Sequence, residues 1–302
     1  MNKKISTENN PKNQHWVSQF YLRYFATPES RDTTLPRVWR YDVLSEKSDG
    51  IKMAVEKVCG KRYLYSPPDT NGVRDWSVER WLDSVETAAG ALWPHLAYGS
   101  IDLSTPELRP ALSRFIAIMH LRNMHHSKLI ESIFEIRDKL YGGPSEESLA
   151  SRPADWPDPT HPGRHFVQNL RRNIDNVAEA LAKKRWVVMY GDSDSLLTSD
   201  RPVTFVGGGV KNPGLSTPGA LVIFPLSPNR VLCMTGPEID GLDNVYIELQ
   251  PSVERSFNMA MCEKCIRFVF SKKPFADFVA DQTVATLLDL SRRERALSAA
   301  SV

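Results

Sequence analysis

The chain has 302 residues, enough for one large domain or two modest ones and for a sizeable buried core. Hydrophobic residues make up 41% and charged residues 25%, which is ordinary for a globular protein and excludes a disordered chain. With 38 Lys and Arg against 36 Asp and Glu, the formal net charge is only +2, so no global attraction to nucleic acid or membranes is expected.

The apolar content also bears on where the protein is found. No run of about 18 apolar residues occurs, so no membrane span is expected. Residues 1–14 are polar and lack the apolar stretch of a secretory signal. Four cysteines do not make a disulfide framework, and they are expected to be reduced thiols. The sequence therefore predicts a cytoplasmic protein.

The first third of the chain predicts short elements. Residues 1–14 are expected to form a flexible tail. Apolar residues then recur at helical intervals from Trp16 to Phe25, which predicts a short amphipathic helix that begins near His15. Residues 37–42 alternate polar and apolar side chains, and this period of two predicts a strand.

The middle of the chain predicts three helices. The first runs from Trp76 to about Leu96, and the second from Ser104 to Gly142, with Pro106 well placed in its first turn. A stretch rich in Pro and Gly predicts a long loop over 142–163. The third helix is expected from His165 to Lys184.

The rest of the chain predicts strands. They are expected near 185–190, 196–198, 203–206, 220–224, 231–234, 245–249 and 266–270. Helices are predicted near 252–263 and from Phe275 to about Arg293. Helices followed by strands, without βαβ alternation, predict an α+β fold in which a helical part packs on a mainly antiparallel C-terminal sheet. We expect a single domain over 15–290, with a helical portion at 76–184, a strand-rich portion at 185–270 and a tail at 291–302.

One sequence motif opens the predicted domain. The run Gln14-His15-Trp16-Val17-Ser18-Gln19-Phe20-Tyr21-Leu22-Arg23-Tyr24-Phe25 resembles the opening motif of the bacterial "domain of unknown function 4238" family. The segments Arg37–Tyr41, Ser199–Pro202 and Phe224–Pro228 agree with this resemblance, in the family's order. Ser18 stands where the family usually places proline, which implies a less rigid start to the helix. The resemblance implies no activity.

Three polar residues follow one edge of the motif. His15, Gln19 and Arg23 are spaced by four residues, so they can share one face of a helix. In the functional interpretation, His15 is a general base or a metal ligand at a helix N-terminus. In the structural interpretation, His15 hydrogen-bonds a buried carboxylate and orders the chain.

Two glutamates and an arginine in the helical portion suggest further chemistry. Glu79 and Glu86 are two helical turns apart and project from one face, where they can bind a divalent cation or salt-bridge to arginines. Arg122 follows an apolar stretch, and a half-buried arginine needs an anionic partner. That partner can be Glu79, Glu86, Asp200 or the phosphate of a substrate.

The remaining candidates are a histidine group and an aspartate. His120, His125 and His126 lie near Arg122, without the spacing of a zinc protease motif. His125 and His126 are interpreted as members of a solvated or partly buried helix face. Asp200 lies between two predicted strands, where it can be a catalytic acid, a metal ligand or the acceptor of an Asx turn.

Two functions from different classes remain open. The first is a nuclease-like hydrolase that acts on nucleic acid or another phosphate-containing substrate, with a divalent cation such as magnesium as a candidate cofactor. Its catalytic residues would be His15, Glu79 and Asp200, and its substrate-binding residues Gln19, Arg23 and Arg122. The second is a non-enzymatic binding or interaction module in which the same residues form a structural polar network.

Overall fold

Seven α-helices lie within the part of the chain that the structure describes. The computed structural model describes residues 11–45, 50–153 and 156–275. In chain order the helices are α1 (Gln19–Arg23), α2 (Ser77–Ala97), α3 (Leu108–Leu121), α4 (Met124–Tyr141), α5 (Glu146–Ala150), α6 (Pro162–Ala182) and α7 (Pro251–Lys264). None of these described helices is both long and apolar enough to cross a membrane.

Eleven strands form three sheets in the same residues. They are β1 (Asn13–His15), β2 (Arg37–Asp42), β3 (Ile51–Ala54), β4 (Gly60–Arg62), β5 (Arg185–Tyr190), β6 (Thr198–Ser199), β7 (Thr204–Gly207), β8 (Ala220–Ser227), β9 (Arg230–Thr235), β10 (Val245–Glu248) and β11 (Phe268–Ser271). The five-stranded sheet has the order β10-β5-β9-β8-β7, and only its β10–β5 pair is parallel. The four-stranded sheet has the order β3-β2-β11-β6, and β1 pairs with β4.

This arrangement is a mixed α+β fold with mostly antiparallel sheets, as the sequence predicts. The five-stranded sheet is the mainly antiparallel C-terminal sheet of the prediction, and a second sheet forms because the early strand β2 pairs with the late strand β11. Such pairing depends on tertiary contacts between distant segments, and local side-chain patterns do not reveal it.

An aromatic cluster joins α1 to the helices and to the five-stranded sheet. Trp93 of α2 is fully buried, and its ring centroid lies 5.5 Å from Phe20, 5.2 Å from Phe115 and 5.9 Å from Phe224. The Trp93 indole N–H donates to the carbonyl of Leu226 at 3.0 Å. Because aromatic burial contributes strongly to folding, this cluster fixes the position of the motif between the helical and strand-rich portions.

The long helix predicted from Ser104 to Gly142 is two helices, α3 and α4. Arg122 ends α3 with a non-helical backbone, and Asn123 caps α4 by accepting a hydrogen bond on its side-chain oxygen from the His126 N–H at 3.1 Å. Asparagine is a strong N-cap residue, and its side chain here stabilises the start of a new helix.

The start of the domain also differs from the prediction. Asn13 and Gln14, placed in the flexible tail over 1–14, belong to β1, and Gln14 is fully buried. Its side-chain oxygen accepts from the Tyr65 N–H at 2.6 Å, and its amide donates to Ser66 Oγ at 2.9 Å. His15 is therefore a strand residue and does not begin the helix. Residues 1–10, 276–290 and the tail predicted at 291–302 lie outside the described residues.

Candidate functional site

Arg122 lies at the centre of the predicted site, with 1% of its surface exposed. Its Nη1 donates to Glu86 Oε1 at 2.5 Å, and its Nε donates to the backbone carbonyl of Trp16 at 3.1 Å. Burial alone would lower the pKa of Arg122, but the nearby charge of Glu86 holds it above its ordinary value. The sequence allows four anionic partners for Arg122, and the one that forms the ion pair is Glu86.

Ser18 links the motif to the same ion pair. Its buried hydroxyl donates to Glu86 Oε2 at 2.6 Å, so both carboxylate oxygens of Glu86 accept hydrogen bonds. The φ angle of Ser18 is −59°, a value that proline also adopts. Ser18 thus keeps a proline-like backbone and adds a hydroxyl donor that proline lacks. Its hydrogen bond to Glu86 holds in place a residue that the sequence predicts to be less rigid. We call Ser18, Glu86, Arg122 and the Trp16 carbonyl the Arg122 network.

His15 is half-buried beside this network, and both of its ring nitrogens have partners. Nε2 lies 3.1 Å from the carbonyl of Glu56, and Nδ1 lies 3.2 Å from the side-chain nitrogen of Gln19. A carbonyl can only accept, so Nε2 carries the proton and Nδ1 accepts from the Gln19 amide. Burial, with a contribution from the charge of Arg122, lowers the pKa of His15. This neutral, hydrogen-bonded imidazole has no nitrogen left for a proton or a metal.

Glu79 is the predicted catalytic residue whose side chain has unused hydrogen-bonding capacity. Its half-buried carboxyl makes no hydrogen bond within the described residues, although it lies within electrostatic range of Arg122 and Glu86. Burial raises the pKa of Glu79 to about 7. The charge of Arg122 lowers this pKa, and the charges of Glu86 and Asp83 raise it. A carboxyl with this pKa can exchange a proton near neutral pH.

The raised pKa of Glu79 predicts a pH-dependent stability. The folded pKa of about 7 lies above the ordinary 4.5, so between these values the folded protein binds more protons than the unfolded chain. The free energy of unfolding therefore falls as the pH rises through this window, by on the order of 2 kcal/mol. Glu79→Gln is expected to remove this slope and to be more stable than the wild type at pH about 8.

Urea denaturation at pH about 5 and about 8 measures this difference. The exposed Glu135→Gln, on α4, is the matched control and is expected to keep the wild-type slope. Identical slopes in wild type and Glu79→Gln would show that Glu79 does not retain a proton in the folded state.

Gln19 and Arg23 lie on the exposed side of α1. Together with Tyr24 and Glu56 they line an open cleft of about 320 Å³. The Arg23 side chain makes no hydrogen bond or ion pair within the described residues. The two predicted substrate-binding residues of the motif thus share one polar cleft, and Arg122 is buried apart from it.

Asp200 has a different role from the other predicted residues. It is 2% exposed, and its carboxylate accepts hydrogen bonds from the backbone N–H groups of Ile266 and Arg267, both at 2.8 Å, and of Phe268 at 3.0 Å. These three donors lie at or just before the start of the distant strand β11. The Asp200 carboxylate therefore does not close an Asx turn within its own loop, which was one of its predicted roles. Asp200 thereby connects β6 to β11 and shares no hydrogen bond with His15, Glu79 or Arg122.

The described residues contain no group of three or more His, Cys, Asp or Glu side chains that could hold a metal ion. Cys59, Cys233, Cys262 and Cys265 are all buried reduced thiols, as predicted. Burial raises the pKa of Cys233 to about 12, so this thiol stays protonated. The four cysteines therefore belong to the core.

Comparison with known proteins gives a family and no activity. No curated protein and no solved structure matches the chain significantly. One family model, described as a protein of unknown function (DUF4238), matches residues 13–275. The match includes the motif, the Arg122 network, Glu79 and Asp200, so the chain belongs to the DUF4238 family.

Proposed function

We propose that this protein is a non-enzymatic binding module and that its opening motif is a structural polar network. What supports the proposal is that His15 of the motif, Glu86 and Asp200 already have hydrogen-bond partners inside the protein. Both nitrogens of His15, both oxygens of Glu86 and both oxygens of Asp200 form hydrogen bonds inside the protein. Groups that are saturated in this way stabilise one conformation, and they are poorly suited to transfer protons or to hold a metal.

The cleft beside the motif is the binding surface in this proposal. Gln19 and Arg23 present an amide and a guanidinium to a space of about 320 Å³, and the network behind them holds α1 in place. A guanidinium without an internal partner favours anionic groups, so the proposed ligands include nucleic acid and other phosphate-containing molecules. A cytoplasmic location, which buried thiols suit, is part of the same proposal.

A nuclease-like hydrolase is the second candidate. The observation that favours it is the Glu79 pKa of about 7, which suits a general acid or base. The test is hydrolysis of a phosphodiester by purified protein, with and without added magnesium or manganese. Turnover by the wild type that is lost in a folded Glu79→Gln variant would show that the protein is a hydrolase and not a binding module. Absence of turnover under all conditions favours the binding module.

His15→Ala tests the structural role of the motif directly. The substitution removes the hydrogen bonds to Glu56 and Gln19, and it is expected to lower the free energy of unfolding by about 1 to 2 kcal/mol. Thermal or urea denaturation measures the loss. His95→Ala, at an exposed position of α2, is the control and is expected to change stability little. A fully stable His15→Ala would contradict the structural assignment.

A further inference from the structure

A group of four basic side chains lies where the α3–α4 junction faces the loop between β6 and β7. His120 lies in the last turn of α3, His125 and His126 lie in the first turn of α4, and Arg201 follows β6. The ring centroids of His120 and His126 are 5.5 Å apart, and those of His125 and His126 are 6.1 Å apart. We call these four residues the basic cluster.

Two nitrogens of the basic cluster are buried without a hydrogen-bond partner. They are Nδ1 of His120 and Nε of Arg201, and the described residues offer neither of them a partner. His126, in contrast, donates from Nδ1 to the carbonyl of Leu121 at 3.1 Å, and His125 is exposed. Buried polar groups in proteins are nearly always hydrogen-bonded, so these two nitrogens of one cluster are open to a partner from outside the chain, either water or a ligand. The exposed His125 marks the open side of the cluster.

The carboxylate beside the basic cluster is that of Asp200. The Arg201 guanidinium forms no ion pair within the described residues, and the adjacent Asp200 accepts backbone N–H groups near β11 on both oxygens. Burial lowers the pKa of Arg201, which the charge of Asp200 opposes. Burial, assisted by His126 and Arg201, lowers the pKa of His120 to about 3. Burial and the charge of Arg201 also lower the pKa of His125 and of His126. The three imidazoles are therefore neutral near pH 7, and the positive charge of the basic cluster comes from Arg201.

We propose that the basic cluster binds a phosphate dianion, either inorganic phosphate or the terminal phosphate of a small phosphomonoester. A guanidinium matches two phosphate oxygens, and imidazole N–H groups can donate to the others. A phosphodiester has one charge and two free oxygens, so it satisfies fewer of these groups. The inference rests on the proposed function, because it gives the binding module a ligand class at a site separate from the cleft beside α1.

Binding of the dianion should be coupled to proton uptake. The charged and titratable groups that face the site are His120, His125, His126, Arg201 and, behind Arg201, Asp200. A bound dianion raises the pKa of the imidazoles, so the affinity increases as the pH falls. Sulfate, which stays a dianion throughout this range, is expected to bind about tenfold more tightly at pH about 5.5 than at about 7.5.

The first experiment uses the wild-type protein and histidine NMR. Adding sulfate, with chloride at equal ionic strength as the reference, is expected to shift the imidazole signals of His120, His125 and His126. His95, exposed on α2, is the internal control and should not respond. Absence of a selective shift at millimolar sulfate would overturn the proposal, as would a shift of His95 equal to those of the cluster.

Arg201→Met is the matched variant. Since the Arg201 guanidinium has no hydrogen-bond or ion-pair partner in the described residues, and its backbone hydrogen bonds are kept, the variant should melt at the wild-type temperature or higher without sulfate. It should also lose the sulfate-induced rise in melting temperature and bind sulfate at least about tenfold more weakly. Arg171→Gln, in a separate arginine-lined cleft, is the control and should keep wild-type binding. Unchanged sulfate binding in Arg201→Met, or a lower melting temperature, would contradict the inference.

Titrations with other ligands identify the source of the phosphate. Tighter binding of a nucleoside monophosphate than of inorganic phosphate indicates a phosphomonoester, and the opposite order indicates free phosphate. A dinucleotide with one phosphodiester should bind at least about tenfold more weakly than either. Equal binding of the diester would contradict the assignment of a dianion. Phosphodiester turnover that depends on Glu79 would contradict the proposed function but not the phosphate site. The phosphate site is tested separately, by the sulfate titrations.

Discussion

Glu86→Gln is expected to lower the free energy of unfolding by about 3 kcal/mol or more, because it leaves the Arg122 guanidinium buried without its counter-ion. Arg122 is 1% exposed, whereas the Glu86 side chain is 24% exposed. Water can therefore reach the glutamate side of the pair but not the arginine side. The remaining hydrogen-bond acceptors of Arg122, the Trp16 carbonyl and the sulfur of Met119, are neutral, and Glu79, with its raised pKa of about 7, balances the charge only in part. Urea denaturation measures the loss.

The reverse substitution and the double variant separate charge from packing. Arg122→Met should destabilise by a smaller amount, about 1 to 2 kcal/mol, since the partly exposed Glu86 can be hydrated. Glu86→Leu combined with Arg122→Met removes both charges, and its stability should lie closer to the wild type than that of Glu86→Gln. A Glu86→Gln protein within about 0.5 kcal/mol of the wild type would show that the guanidinium is hydrated and that the network is not structural.

Local patterns predicted the elements well and their boundaries less well. Helices α2, α6 and α7 and most strands lie near their predicted positions because their side chains repeat with a clear period. The break at Asn123 was missed because apolar residues continue through it at helical spacing. That continuity is misleading, since Leu129, Ile133 and Ile136 of α4 are 49%, 53% and 58% exposed. Periodicity identifies a helical face, but it does not show whether another element covers that face.

The site could be predicted only as a set of alternatives. Glu86 was one of the partners considered for Arg122, because a buried arginine requires an anion and few carboxylates lie nearby in the helices. The partners of Asp200 could not be predicted, since the first of them, Ile266, is 66 residues away and is brought close by sheet pairing. Arg201 was overlooked for the same reason. Its proximity to the histidines depends on how the β6–β7 loop packs against the α3–α4 junction, and no local signal encodes that packing.

Asp200→Ala is expected to destabilise the protein by about 3 to 5 kcal/mol, because it leaves three backbone N–H groups near β11 without acceptors. Asp200 is 2% exposed, so water cannot readily replace its carboxylate. Asp200→Asn keeps one carbonyl oxygen but places an amide donor opposite the remaining N–H groups, and it should be intermediate in stability. Asp42→Asn is the control near the same strand. Its main partner, Arg267, is largely exposed, so the expected loss is about 1 kcal/mol or less.

Hydrogen exchange separates this structural role of Asp200 from a catalytic one. If the carboxylate connects β6 to β11, Asp200→Ala should accelerate exchange at Phe268 and in the β2–β11 pair, and leave protection in α2 and α3 unchanged below the unfolding transition. A catalytic aspartate would give the opposite result, in which stability and exchange are preserved. That result would also remove the reason for regarding Arg201 as unpaired, because an Asp200 carboxylate released from the backbone N–H groups could serve as its counter-ion. The stability of Asp200→Ala therefore bears on both the structural network and the proposed phosphate site.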